Sequence, residues 1–282
     1  VIEGAARSPL RTVRENWWIA SYSALHTAAA EAGAEPGADT PAEDVFREAA
    51  AAHDIAATPV ADTPAGPSLG PLHGFPRGAA VGTFLHELLE WAAAQGFGRL
   101  LQSPGLLRDA VARRCAVRGW EAWIEPLCSW MQDFLQLPVG AEGLAPFALA
   151  GASSLVAEME FWIAVHDLDL VVLDAQVRRH TCGGLERPPL KPGQLNGMLK
   201  GFIDLVVEHD GRYYVIDYKS NWLGPDDAAY TAAAMQDEIL AKRYELQYVL
   251  YLLALHRLLT LRLPDYDYET HMGGALYLFL RG

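Results

Sequence analysis

The residues best placed to do chemistry sit around one turn. The segment Gly201–Ser220, GFIDLVVEHDGRYYVIDYKS, consists of two β-rich runs on either side of Asp210-Gly211. Asp-Gly between such runs favours a two-residue type I′ hairpin. With that turn, His209 faces Arg212 and Asp204 faces Asp217, with Cβ atoms about 4.5–5.5 Å apart. Lys219 and the Val206–Val215 pair share the face of the two acids. Ile203, Leu205, Val207, Tyr214, Ile216 and Tyr218 make the other, apolar face. Two carboxylates at about 5 Å repel by on the order of 3 kcal/mol at an effective dielectric near 20. A divalent cation reverses that sign, Mg²⁺ in particular preferring carboxylate oxygens and retained waters. An adjacent lysine can then orient a water or stabilise charge developing on a phosphate. The competing reading makes Asp204 and Asp217 solvated surface charges that Lys219 partly neutralises, and a turn of another length shifts the pairing.

Other elements must carry this hairpin. Gly82–Gly96, GTFLHELLEWAAAQG, has helical spacing of Phe84, Leu85, Leu88, Leu89 and Trp91. Residues from about 106 to 137 read as further helices. Ser154–Val165, SLVAEMEFWIAV, reads as a strand, Ile239–Leu263 as one long helix, and Ala275–Leu280 as a closing strand. Helix, strand, hairpin, helix and strand in that order imply an α/β domain with a mixed sheet. Asn16–Leu25, NWWIASYSAL, is apolar enough to pack on the main body, so residues 1–27 are expected as an N-terminal segment. Residues 28–74 are rich in Ala, Pro, Gly, Asp and Glu and are expected as a linker or loop, with a short helix over Ala42–His53. The main domain is expected over 75–282.

Bulk properties bound the function. The 282 residues suffice for a sizeable core. The net charge of −13 counts against nucleic acid at face value, unless basic modules elsewhere hold the strand. Cys115, Cys128 and Cys182 are odd in number and far apart, which fits free thiols in a reducing cytosol rather than a disulfide or zinc framework. No apolar run reaches the length of a membrane span. The chain does not begin with Met, and Arg7, Arg11 and Arg14 precede no signal-like apolar stretch, so a piece of a longer polypeptide is expected. No GxxxxGK[ST] phosphate loop occurs, so no ATP site is expected here.

Asp204 followed after a gap by Asp217-Tyr218-Lys219 resembles the PD-(D/E)xK nuclease signature, with Ile203 in place of the proline. The neighbouring segments GTFLHELLE, EMEF, GMLKGFIDLV, GRYYVIDYKSNWLG, LQYVLYLLALHR, DYDYE and GGALYLFLRG are similar, in order from about Phe75 to Gly282, to the RecB family of nuclease domains found in exodeoxyribonuclease V β subunits. The resemblance implies a restriction-endonuclease-like core, a mixed central sheet flanked by helices with additional N-terminal helices. It implies a Mg²⁺ site, open also to Mn²⁺ or Ca²⁺, formed by His86, Asp204, Asp217 and the Tyr218 backbone carbonyl. Lys219 would be catalytic, and Glu158 a nearby carboxylate, though Glu160 would share its face. Gln247 and Tyr251 match a QxxxY motif whose members, four apart on a helix, would touch DNA or brace the site. Some relatives hold an iron–sulfur cluster with four cysteines, which three scattered cysteines cannot supply. The implied activity is exodeoxyribonuclease action on linear DNA in a bacterial cytoplasm, during double-strand-break repair and recombination. The implied partners are RecC- and RecD-like subunits and RecA. A rival reading is a non-catalytic nuclease-like module that binds partner subunits or DNA ends.

Overall fold

The computed structural model describes residues 18–22, 25, 72–140 and 143–282. Most of the expected linker, with its short helix at 42–53, lies outside these residues. A helical cap comes first: α1 (Ala79–Gln95), α2 (Phe97–Gln102), α3 (Pro104–Ala116) and α4 (Ile124–Gln136). On α1 the spacing of Phe84, Leu85, Leu88, Leu89 and Ala92 puts all five in the core, and each large side chain buried there contributes about 2 kcal/mol. A two-stranded ribbon, β2 (Pro138–Val139) with β3 (Phe147–Ala148), follows.

The sheet holds β4 (Ser154–Asp169), β5 (Gln194–His209), β6 (Arg212–Lys219) and β7 (Met272–Phe279), with β1 (Trp18–Ala20) added. β5 runs antiparallel to β4 and β6, whereas β6–β7 and β1–β5 are parallel. Sheet and flanking helices together form the mixed α/β architecture expected. Because β4 lines one edge of β5 over nearly its full length, β1 and β6 share the other edge. β1 pairs at 197–199 and β6 at 205–209, and the edge between them opens at Asp204.

The hairpin has the expected register, with His209 opposite Arg212 and Leu205 opposite Ile216. Asp210 and Gly211 both have positive φ, at 49° and 75°, as a type I′ turn requires. Two details differ from expectation. The β5–β6 ladder stops at Leu205–Ile216, so Asp204 and Asp217 are not a regular cross-strand pair. Both faces of the hairpin are also covered, and the face assignment slips. Leu205, Val207, Tyr214, Ile216 and Tyr218 pack under α1–α4, but Ile203 joins Val206 and Val215 on the opposite side. On β4, Leu155 and Ala157 likewise face the helical cap while Met159 and Phe161 face away from it. The slip occurs where Glu158 takes a left-handed backbone, φ 49°, next to Asp204. Such a conformation is strained for a residue with a Cβ.

Helix α5 (Leu170–His180) follows β4 and starts at Asp169, whose carboxylate accepts the backbone N–H groups of Val171 and Val172. The long helix expected from Ile239 is two, α6 (Ala232–Ala241) and α7 (Tyr244–Arg262), with a final short α8 (Tyr268–His271) before β7. The break falls at Arg243, φ 59°, and its cause is a buried charge network. Arg243 donates to Glu245 (2.6 Å), Asp174 (2.6 Å) and the Pro188 carbonyl (2.5 Å). Arg187 lies 3.4 Å from the same Glu245 oxygen. Arg187, Arg243 and Glu245 are almost wholly buried. α7 then lies across the sheet, giving Leu246, Leu250 and Ala254 to one cluster and Tyr251, Leu255 and Leu259 to the next.

Removing one partner from a buried ion network leaves the rest uncompensated. Glu245→Ala is therefore expected to destabilise the fold by about 3–5 kcal/mol in urea unfolding. A loss below about 1 kcal/mol would mean that water reaches and screens the network.

Candidate active site

Three elements deliver the site: the C-terminal half of β5, the end of β6 and one face of α1. Asp204, freed from the ladder, turns its carboxylate across the opening, and Oδ2 accepts the Tyr218 backbone N–H at 2.8 Å. The His86 Nδ1, from the second turn of α1, lies 3.5 Å from the same oxygen. The His86 ring stands edge-on to Tyr218 at 5.9 Å, so Tyr218 sets both the carboxylate and the imidazole. Glu158 adjoins Asp204 across the β4–β5 ladder, between the pairs Ala157–Leu205 and Met159–Ile203. Glu160 is directed elsewhere, to an ion pair with Lys200 at 2.9 Å. That contact distinguishes the two acids of EMEF: Glu158 borders the site and Glu160 does not.

Asp217 and Lys219 are both buried, 3% and 8% exposed, and their side chains meet at 2.5 Å. The ammonium has close neighbours on several sides. Gln247 Oε1 accepts from it at 2.9 Å, the Tyr244 ring lies 3.9 Å away and the Tyr277 ring 5.1 Å. Gln247 in turn donates to the Tyr251 hydroxyl at 2.8 Å, and the Tyr277 hydroxyl donates to the Tyr244 carbonyl at 2.5 Å. Gln247 and Tyr251 thus face the site as a brace behind Lys219. Tyr251 is set by Phe161, 5.6 Å away and edge-on. Phe161 packs against Gly201, where a Cβ would come within 2.5 Å of its ring. Sequence reasoning misses the aromatic pair Tyr244 and Tyr277 around the lysine. Its signal is weak, since the two residues belong to different elements and only folding brings them to Lys219.

Burial dominates the electrostatics. It pushes the Asp217 carboxyl up to about 6, with Asp204 adding to the rise and Lys219 opposing it. For Lys219, burial pulls the ammonium down, but the Asp217 carboxylate and then Tyr244 outweigh it, and the net shift is upward. Lys219 is therefore a fixed cation rather than a proton acceptor near neutral pH. The donor set of Asp204, Asp217 and His86, all hard oxygen and nitrogen ligands, suits a divalent cation such as Mg²⁺, which takes one or two carboxylates and keeps waters. A carboxylate as short of solvation as Asp217 gains from added positive charge. Among the described residues no three His, Cys, Asp or Glu side chains are gathered closely enough to hold a metal ion by themselves. A backbone carbonyl, with that of Tyr218 as the candidate, and water would have to complete the shell.

Two acids and a lysine at the mouth of a splayed hairpin are what the nuclease signature requires, and a family model described as "PD-(D/E)XK nuclease superfamily" matches residues 69–282. The chain belongs to this superfamily. It is 41% identical over 279 residues to the "RecBCD enzyme subunit RecB" of Escherichia coli (strain K12), covering 98% of this chain and 22% of that protein. The RecB of Haemophilus influenzae is 36% identical over 211 residues, 73% of this chain and 16% of that protein. That of Mycolicibacterium smegmatis is 30% identical over a 311-residue alignment, 99% of this chain and 27% of that protein. The chain spans about a quarter or less of the length of these curated relatives.

The Asp217 shift has a direction that can be measured. Its raised value means that ionisation costs fold stability as pH climbs from the ordinary 3.8 through about 6. A bound cation must displace the same proton. Mg²⁺ or Mn²⁺ affinity, read by calorimetry, is expected to fall as pH drops through about 6, and to fall less steeply in Asp217→Asn, where only the competition of protons for His86 remains. Affinity that stays flat from pH 5 to 8 in the parent protein would remove Asp217 from the ligand set.

Proposed function

We propose that this chain is the nuclease part of a RecBCD-type helicase–nuclease and that it hydrolyses DNA phosphodiesters with a divalent cation, Mg²⁺ first among them. The observation that carries this reading is the convergence of Asp204, Asp217 and Lys219, from two strands, on one opening beside His86. Asp204, Asp217, His86 and the Tyr218 carbonyl would hold the cation. When bound, it supplies Lewis-acid polarisation of the phosphate and acidifies an attacking water.

The chain's own groups then have defined tasks. Lys219, held protonated by Asp217 and fixed by Gln247, presents positive charge where the phosphate gains negative charge. Preorganised charge of this kind costs no reorganisation during the reaction. Asp204 is locked by the Tyr218 N–H, so its second oxygen has one direction in which to act. Glu158, beside Asp204 on the neighbouring strand, would accept a proton or order a water. The water oxygen attacks phosphorus, one P–O ester bond breaks, and the products are a phosphate monoester and a hydroxyl. Gln247 and Tyr251 position Lys219 rather than touch the substrate, since their polar ends are engaged with it and with each other.

By analogy with the RecBCD enzyme subunits it resembles, the activity belongs to an exodeoxyribonuclease V type of enzyme serving double-strand-break repair and recombination in a bacterial cytoplasm. Partner subunits like RecC and RecD would bring the strand, and RecA would be a further partner. Among the described residues no helix is long and apolar enough to cross a membrane.

Lys219→Ala and Asp204→Asn are the informative substitutions. Asp217 already sits near 6 and can take up a proton when Lys219 is lost. The amide oxygen introduced by Asp204→Asn can still accept the Tyr218 N–H. Both variants are expected to melt near the parent protein and to lose cleavage of linear single-stranded DNA in Mg²⁺ by roughly two orders of magnitude or more. Cleavage retained by Lys219→Ala would overturn its role. A parent protein that binds no divalent cation and cuts no DNA would instead favour a non-catalytic binding module.

A further inference from the structure

An exposed arginine rests on an exposed tryptophan just beyond the catalytic strand. The Arg77 guanidinium carbon lies 3.7 Å from the centre of the Trp222 ring, and Trp222 is 38% exposed. Among the described residues no carboxylate pairs with Arg77, in a chain whose net charge is −13. Trp222 is three residues past Lys219. The chain therefore places it within about 11 Å of Lys219, Cα to Cα, a reach of one or two nucleotides.

Both halves of this pair are built on locked backbone. Tyr230, itself buried, donates through its hydroxyl to the Asn221 carbonyl at 3.2 Å and accepts the Leu223 N–H at 3.3 Å. That single hydroxyl clamps the residues on either side of Trp222. The Asn221 side chain is buried and donates to Glu238 at 2.8 Å. On the other side, the buried Arg281 guanidinium donates to the carbonyls of Leu72 (3.3 Å), Phe75 (3.0 Å) and Pro76 (2.6 Å), and through Nε to Ser220 (2.9 Å). Arg281 thereby staples the segment leading to Arg77 onto the segment leading to Trp222. An isolated surface cation–π contact is a weak stabiliser and needs no such scaffold. An indole with a guanidinium stacked on one of its faces offers what a nucleic-acid strand asks for: the other face as a platform for a base, and a charge for its phosphate.

We propose that Arg77 and Trp222 form a strand-entry subsite for single-stranded DNA, with Trp222 stacking on a base and Arg77 meeting the adjacent phosphate as the strand passes toward Asp204 and Asp217. This rests on the nuclease reading and adds to it a place where substrate is gripped outside the acid pair.

The test measures binding of a fluorescein-labelled oligo(dT) by anisotropy in EDTA, across a salt series, with the full chain. Trp222→Ala is expected to weaken binding on the order of tenfold, with Trp222→Phe restoring most of it. Trp162→Ala, which alters another exposed tryptophan, should change nothing. Arg77→Ala should lower the magnitude of the salt slope by about 0.7, the loss of one single-strand phosphate contact. Variants that bind like the parent, or a parent that binds no oligo(dT) at low salt, would overturn the subsite. So would a clear preference for oligo(rU). Parallel cleavage assays in Mg²⁺ separate the two levels. Cleavage that needs Lys219 while Trp222→Ala binds normally leaves the nuclease reading standing and sinks the subsite. Trp222-dependent binding without any cleavage does the reverse.

Discussion

A lysine ammonium and a carboxylate buried side by side are the constraint around which this protein is arranged. Taking either charge out of water costs several kcal/mol after relaxation, and their mutual attraction offsets this only when the remaining polar positions are filled. Lys219 has Asp217, the Gln247 side-chain oxygen and the Tyr244 ring around it. Each comes from an element that must itself be held. Gln247 and Tyr244 stand on the first turns of α7, and α7 starts where it does because Arg243 is pinned by Asp174, Glu245 and Pro188. The Tyr22 hydroxyl donates to the Lys242 carbonyl, so the residues around β1 tie into the same corner. The charge network at the α6–α7 junction and the charge pair at the end of β6 are thus joined through the first turn of one helix.

The second arrangement is the slip of face in β4 and β5. A regular hairpin would leave Asp204 square to Asp217 on one side of the sheet, repelling it across a hydrogen-bonded ladder. Ending the ladder at Leu205 lets Asp204 reach back to the Tyr218 N–H instead. The backbone group left without a strand partner is satisfied by the acid, and the acid is fixed by the backbone group. The left-handed Glu158 on the neighbouring strand accompanies this change. Local strain at such a position persists only where packing on both sides over-determines it, as the two cores above and below the sheet do here.

Much of this is legible in the sequence, and what is not has a physical reason. Asp210-Gly211 gives the turn, the turn gives the register, and the register places Asp204, Asp217 and Lys219 at one end of one hairpin. The amphipathic spacing of α1 gives the helix, while His86 is marked as a site residue only by the family resemblance. The sheet's second covered face cannot be read, because alternation in a short hairpin does not say what lies beyond each side. Nor can the break at Arg243, since YELQYVLYLLALHR continues the apolar spacing of the residues before it and only partners at 174 and 188 pull the chain into a left-handed turn. Helix α5, LVVLDAQVRRH, escapes a sequence reading for a similar reason. Its valines point partly to solvent, with Val171 and Val172 exposed, and the apolar stripe is correspondingly blurred.

The acidic composition conflicts with an anionic substrate only while charge is summed over the whole chain. At physiological ionic strength the field of an exposed charge is screened within about 8 Å, so the net charge says little about one opening. What a phosphate would meet there is local: Lys219, whose charge burial would suppress but whose partners retain it, and His86 on the facing helix. Asp204 and Asp217 would repel the phosphate if nothing stood between them and it, so in the proposed mechanism a bound cation would serve substrate approach as well as chemistry. On the proposed reading, the same acids that make the chain look unsuited to DNA would tie its affinity for DNA at the acid pair to the presence of metal.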